Sequence, residues 1–205
     1  MRVALTMRIT EAADYPEPRD SISHDWMARL AEWRMTPLLV PNLGEEAPAV
    51  LDHLKPDILV FTGGDDLGAT PVRDATETGL LDHALASGLP VLGVCRGLQL
   101  INTHFGGSLI PVEGHRARPH QVTVAEPWHH FYGPSATVNS FHDQGVAAET
   151  VGNGLTVTAT DADGNVEGFY HPEKPLAAVM WHPEREGGLE GDRLLLTALA
   201  GGKEF

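Results

Sequence analysis

The only cysteine in the chain, Cys95, lies in Val91-Leu92-Gly93-Val94-Cys95-Arg96-Gly97-Leu98-Gln99. This places Gly-x-Cys-x-Gly where an apolar run meets a helix-like pattern. A tight strand-to-helix turn needs small flanking residues and pushes its central side chain out at the strand's end. A thiol there also sits at a helix N-terminus, whose partial positive charge favours the thiolate. The alternative is a buried structural cysteine, a common fate for an unpaired one. Thiolate attack on an acyl group needs a base, a group to orient that base, and an oxyanion hole.

Val179-Met180-Trp181-His182-Pro183-Glu184 offers the first two. His182 and Glu184 are two apart, so an extended backbone puts both on one face. One ring nitrogen could then be held by the carboxylate while the other faces Cys95. A plain loop is the competing reading. Phe61-Thr62-Gly63-Gly64-Asp65-Asp66 offers the third part, because glycines past a buried strand let backbone N–H groups approach a ligand. A phosphate loop is disfavoured there by the two aspartates and the lack of a following lysine. An oxyanion donor and a simple strand-end turn both remain.

These parts need a scaffold, and hydrophobic patterning supplies one. Apolar runs at 3–7, 38–40, 57–61 and 91–94 read as strands. Helices are expected over 21–34, 45–54, 77–86 and 97–105. Strand and helix alternating through short loops predict a parallel sheet with helices on both faces. Residues 108–150 carry many histidines and prolines and little periodicity, so they read as loop-rich. Runs at 155–160 and 166–170 around Asp163-Gly164 read as a hairpin. Residues 177–181 form a last strand and 192–200 a closing helix. No repeat or linker divides the chain, so residues 1–205 are expected to form one α/β domain with a mixed, mostly parallel sheet.

Composition narrows the function. Fourteen basic against twenty-eight acidic residues give a net charge of -14, and three of the basic residues are lysine. No concentrated positive surface is available for nucleic acid or an anionic membrane. An apolar content of 42% with 20% charged residues is that of a folded chain. One cysteine fits a reducing compartment. Met1-Arg2 leads into Val3-Ala4-Leu5 without a charged-then-apolar leader, so a cytoplasmic location is expected.

Taken together and in order, the three stretches resemble the class I glutamine amidotransferase-like superfamily. They are most similar to its γ-glutamyl hydrolase branch, as is Asn139-Ser140-Phe141-His142-Asp143-Gln144. The resemblance covers nearly the whole chain and implies a flavodoxin-like fold. By it, Cys95 would be the nucleophile, His182 the base and acid, and Glu184 the orienter. The backbone N–H groups of Gly64 and Arg96 would form the oxyanion hole. Gln99, Ser140 and His142 would line the glutamyl pocket. The implied reaction is hydrolysis of a γ-glutamyl amide through a glutamyl thioester, on a small-molecule substrate and with no cofactor.

Two branches compete for the leaving group. The chain is short between Gly107 and Asn139 for a γ-glutamyl-γ-aminobutyrate hydrolase. Leu5-Thr6-Met7-Arg8, Arg19-Asp20-Ser21 and the ending Trp181-His182-Pro183-Glu184-Arg185-Glu186 are closer to γ-glutamyl-CDP-amidate hydrolases. A diphosphate needs cations, and Arg8, Arg116, Arg118 and Arg19 are the candidates. A glutaminase subunit feeding a separate synthetase is a third reading, and a homodimer is compatible with all three. His115, His120, His129 and His130 lack metal-ligand spacing, so no metal site is expected among them.

Overall fold

A computed structural model describes residues 1–202. In chain order the first half contains β1 (Arg2–Thr6), β2 (Arg8–Glu11), β3 (Pro18–Ser21), α1 (His24–Glu32), β4 (Thr36–Val40), α2 (Ala47–Leu54), β5 (Ile58–Phe61), α3 (Pro71–Ser87), β6 (Val91–Val94) and α4 (Arg96–His104). The second half adds β7 (Ile110–Pro111), β8 (His120–Val124), α5 (His129–Tyr132), β9 (Ser135–Val138), β10 (Gln144–Gly145), β11 (Thr156–Thr160), β12 (Val166–His171), β13 (Leu176–Val179) and α6 (Glu190–Ala200).

Nine strands form one sheet in the order β4-β1-β5-β6-β13-β12-β11-β8-β9. The five from β4 to β13 run parallel, and the remaining four pair antiparallel. The mixed, mostly parallel architecture expected from the sequence is therefore present. Strands β5, β6 and β13 are buried at every residue, as strands covered on both faces must be. Their side chains alternate between two cores. Val3, Leu5, Ile58, Val60, Leu92 and Val94 meet Trp26 and Leu30 of α1 and Leu195 and Leu199 of α6. Ala4, Leu59, Phe61 and Val91 meet Leu51 of α2, Leu80 of α3 and Ile101 of α4. Each large apolar side chain so buried contributes roughly 1.5–3 kcal/mol.

Two expectations need correction, and one element carries no sequence signal. Helix α3 begins at Pro71, six residues before the apolar pattern suggested, because its first turns bury Arg73 and Thr76 rather than apolar side chains. Proline suits that first turn, where its missing N–H costs nothing. Residues 108–150 are loop-rich but not loop throughout: β8 and β9 form a hairpin at the sheet edge. Val122 and Val124 are buried there while Gln121 and Thr123 face out, an alternation too short to stand out among the polar residues. The β2–β3 hairpin is exposed along most of its length and carries no apolar periodicity at all.

Candidate active site

Cys95 follows directly on β6 and caps α4, with φ 53° and ψ −103°. Such a backbone costs an L residue about 1–3 kcal/mol and persists only where its surroundings enforce it. The flanking glycines explain how. A Cβ at Gly93 would lie 2.7 Å from Ile101 Cδ1, and one at Gly97 would lie 2.4 Å from Phe61 O. Only glycine lets β6, α4 and β5 close this tightly. The Cys95 N–H donates to Val179 O at 2.9 Å. The Arg96 N–H belongs to the first turn of α4, whose donors have no partner within the helix.

His182 and Glu184 lie just past the end of β13, the strand beside β6. Nδ1 of His182 donates to Glu184 Oε1 at 2.8 Å, and both residues are buried. That bond fixes the ring and leaves Nε2 for the sulfur. Nε2 is buried, and no oxygen or nitrogen among the described residues bonds to it. Burial lowers the pKa of His182, but hydrogen bonding to Cys95 and Glu184 and their charges outweigh it and raise it to about 9. The pair therefore favours an imidazolium next to the sulfur.

Asn139 grips the histidine's backbone from both sides. Its Oδ1 accepts from the His182 N–H at 2.8 Å, and its Nδ2 donates to His182 O at 2.9 Å. Phe141 stands edge-on to the imidazole at 5.6 Å between centroids, with Arg185 stacked 4.2 Å from the Phe141 centroid. Gly63 comes close to both the His182 and the Cys95 side chains. A Cβ there would fall 2.7 Å from His182 Cε1 and 3.6 Å from Cys95 Cβ.

Beneath the Gly63-Gly64 turn lies a buried ion network. Arg73 Nη2 donates to Thr62 O at 2.9 Å and to Gly63 O at 3.1 Å. In a trans peptide the C=O and the following N–H point opposite ways, so this clamp turns the Gly64 N–H away from the guanidinium. Arg73 Nε binds Glu77 Oε1 at 3.0 Å, and Arg96 binds Glu77 and Asp74. Burial lowers both arginines to about 10, against the pull of the neighbouring acids. The Arg96 side chain is thus committed inward.

The remaining expected residues divide into two groups. Arg8 lines a narrow cleft with Gly63, His182, Glu184 and Arg185. Gln99 is buried and donates through Nε2 to Gln144 O at 2.9 Å. The Ser140 hydroxyl donates to His115 O, and His142 faces His115 and Glu167. The Arg116 side chain is 74% exposed, paired with Asp143, and does not line that cleft. Of the four clustered histidines, His115 and His120 converge on Glu167, whereas His129 and His130 bind carbonyls beside α5. Sequence reasoning gave no role to Arg73, Glu77, Asn139 or Arg185. The i, i+4 spacing of Arg73 and Glu77 was a usable signal; the grip of Asn139 on His182, 43 residues away, was not.

The family model described as Peptidase C26 matches residues 3–184. A γ-glutamyl-CDP-amidate hydrolase from Campylobacter jejuni is 29% identical over 205 residues, covering 95% of this chain and 96% of that protein. A γ-glutamyl-γ-aminobutyrate hydrolase from Escherichia coli O157:H7 is 33% identical over 184 residues, covering 76% and 69%. Three curated relatives matched at 37–38% identity are longer, and the chain spans about half to two thirds of their length. Among solved structures, a glutamine amidotransferase from Thermotoga maritima superposes with a TM-score of 0.67 at 14% identity, covering 96% of this chain and 81% of that one. At that identity it speaks to fold alone.

Proposed function

This chain belongs to the Peptidase C26 family, and we propose that it hydrolyses a γ-glutamyl amide with Cys95 as nucleophile. The observation that carries the reading is the strained Cys95 elbow beside a buried His182–Glu184 pair. In the proposed reaction the Cys95 sulfur attacks the γ-carbonyl carbon and forms a tetrahedral oxyanion. The N–H groups of Gly64 and Arg96 receive that oxyanion. His182 Nε2–H then protonates the departing amine as the C–N bond breaks, leaving a glutamyl thioester on Cys95. The neutral imidazole next takes a proton from water, which attacks the thioester; the Cys95 sulfur leaves as thiolate, glutamate departs and the thiolate–imidazolium pair is restored. Glu184 holds the ring throughout and balances its charge. Gln99 and His142 bond to Gln144 O and Ser140 to His115 O; they are not among the residues lining the cleft that holds Arg8, and in this reading they order the segment 139–144 that carries Phe141 to His182.

For the leaving group, γ-glutamyl-CDP-amidate is the reading we favour, because the hydrolase of that name matches this chain nearly end to end. Arg8 and Arg185 border the cleft beside His182 and supply two cations for a diphosphate, a better position than that of Arg116. The test is glutamate release from γ-glutamyl-CDP-amidate, γ-glutamyl-γ-aminobutyrate and glutamine side by side. The first should turn over fastest, Arg8→Ala should slow it selectively, and Cys95→Ala should be folded and inactive on all three. Preference for γ-glutamyl-γ-aminobutyrate would move the assignment to that hydrolase, and preference for glutamine to a glutaminase. Full activity of Cys95→Ala would end the mechanism.

A further inference from the structure

Away from the Cys95 site, three buried side chains from different parts of the chain turn their ligand atoms towards one another. They are His115 before β8, His142 between β9 and β10, and Glu167 on β12. His115 Nδ1 is 3.3 Å from His142 Nε2. Glu167 Oε1 is 3.7 Å from the first and 3.5 Å from the second. The residues are only 7%, 4% and 0% exposed.

The outer atoms of the two rings settle where their protons sit. His142 Nδ1 is 3.0 Å from Gln144 O, and a carbonyl can only accept, so Nδ1 carries the hydrogen. His115 Nε2 is 3.2 Å from Asp161 Oδ2, which likewise draws the hydrogen to Nε2. In neutral rings the facing atoms, His115 Nδ1 and His142 Nε2, are then bare lone pairs. They converge with a carboxylate of which neither oxygen makes a hydrogen bond. His120 Nε2 approaches the other Glu167 oxygen only to 3.5 Å, beyond hydrogen-bond length, so the three facing acceptors have no donor between them, which is costly unless a cation lies there.

We propose that the cation is zinc, held by His115 Nδ1, His142 Nε2 and Glu167 Oε1. The distances favour a metal over a shared proton. A hydrogen bond between such atoms spans about 2.7–3.2 Å, shorter than each of the three separations. Ligands about 2.0–2.2 Å from a tetrahedral zinc lie ~3.3–3.6 Å from one another, close to what is observed. Two imidazoles and one carboxylate suit zinc and not calcium or magnesium, which prefer all-oxygen shells. Asp161 and the Gln144 carbonyl are the outer partners that orient ligating histidines in such sites. The sequence hides the set because its members are 27 and 25 residues apart, on two loops and a strand, rather than paired along one helix.

Burial leaves no path for a substrate, so the site is a staple. It fastens the segment 139–144, whose near end carries Asn139 and Phe141 to His182, against β12. The Ser140 hydroxyl bond to His115 O tightens the same junction.

The test measures metal content of the full chain, expressed with zinc and purified without chelator. About one zinc per chain is expected, as is a rise in thermal midpoint when zinc is returned to chelated protein. Cobalt(II) in its place should show visible d–d bands that Glu167→Gln removes. Cys95→Ser must keep the zinc, which separates this site from adventitious binding at the Cys95–His182 pair. Glu167→Gln should lose it, and Asp161→Asn should weaken affinity ~10–100-fold while keeping all three ligands. Wild-type protein with no stoichiometric zinc and no zinc-dependent stabilisation overturns the proposal, as does loss of the metal in Cys95→Ser. If Glu167→Gln fails to fold, the wild-type content and Asp161→Asn still decide.

Discussion

Replacing Gly63 by alanine adds one methyl group at the closest point of the His182–Cys95 pair. That carbon would sit 2.7 Å from His182 Cε1. Carbon atoms rest about 3.5–4.0 Å apart, so the imidazole or the loop must yield by ~1 Å. The ring has little freedom to move, because Glu184 holds Nδ1 and Asn139 holds the backbone on both sides. A misplacement of ~1 Å costs on the order of a hundredfold in rate, equivalent to about 2.7 kcal/mol of transition-state stabilisation. Gly63 is not among the residues of positive φ, so alanine imposes no backbone strain. The assay pairs kcat/KM for glutamate release with the second-order rate of Cys95 alkylation by iodoacetamide and with thermal unfolding. The expected result is a loss of about a hundredfold in kcat/KM in a protein that still folds. Wild-type kcat/KM in Gly63→Ala would refute the claim that this glycine sets the approach of base to nucleophile.

Glu77→Gln should leave Arg73 and Arg96 as facing buried cations without their shared counter-charge, at a cost of roughly 3–5 kcal/mol in urea denaturation. A loss under about 1 kcal/mol, the value of an exposed pair, would show that the network is not buried as described. His182, raised from 6.5 to about 9 in the folded chain, contributes stability that is fully present below pH 6.5 and lost as pH rises through about 9. Cys95→Ala removes one of the partners that raise it, so the loss should begin at lower pH in thermal melts of that variant. Coincident pH profiles for the two proteins would exclude a Cys95–His182 ion pair.

What the sequence made legible follows from how local each signal is. The elbow is legible because Gly93, Cys95 and Gly97 must be neighbours in sequence to turn a chain so sharply. His182 and Glu184 are legible because a two-residue spacing at a strand end puts both on one side. The buried parallel strands announce themselves as unbroken apolar runs. By contrast, the first turns of α3 were missed because they bury a paired arginine, which no hydrophobic pattern can mark. Asn139, Phe141 and Arg185 act on His182 through tertiary contacts, and the convergence of His115, His142 and Glu167 depends on a hairpin whose alternation is too short to read. Arg116 shows the opposite error: a cation near the right segment in sequence whose side chain turns out to solvent beside Asp143.

The buried arginines also bear on how a chain of net charge -14 can stabilise an oxyanion. Arg73 and Arg96 are close enough to Cys95 and the Gly63-Gly64 turn to look like a source of positive potential. Three carboxylates, those of Asp65, Asp74 and Glu77, pair with the two guanidiniums, so the network as a whole is not cationic. Its charge is consumed in holding itself together underground. What remains for the site is orientation: Arg73 takes hold of Thr62 O and Gly63 O, and the following peptide is fixed by that grip. On the proposed mechanism, stabilisation of the developing oxyanion would rest on fixed N–H dipoles, which need no reorganisation as the charge forms. A fixed dipole works only if its support is rigid, and the buried Arg73–Glu77–Arg96 centre of this network, under a glycine turn, is a rigid support. The negative surface and the catalytic electrostatics are on this account independent of one another.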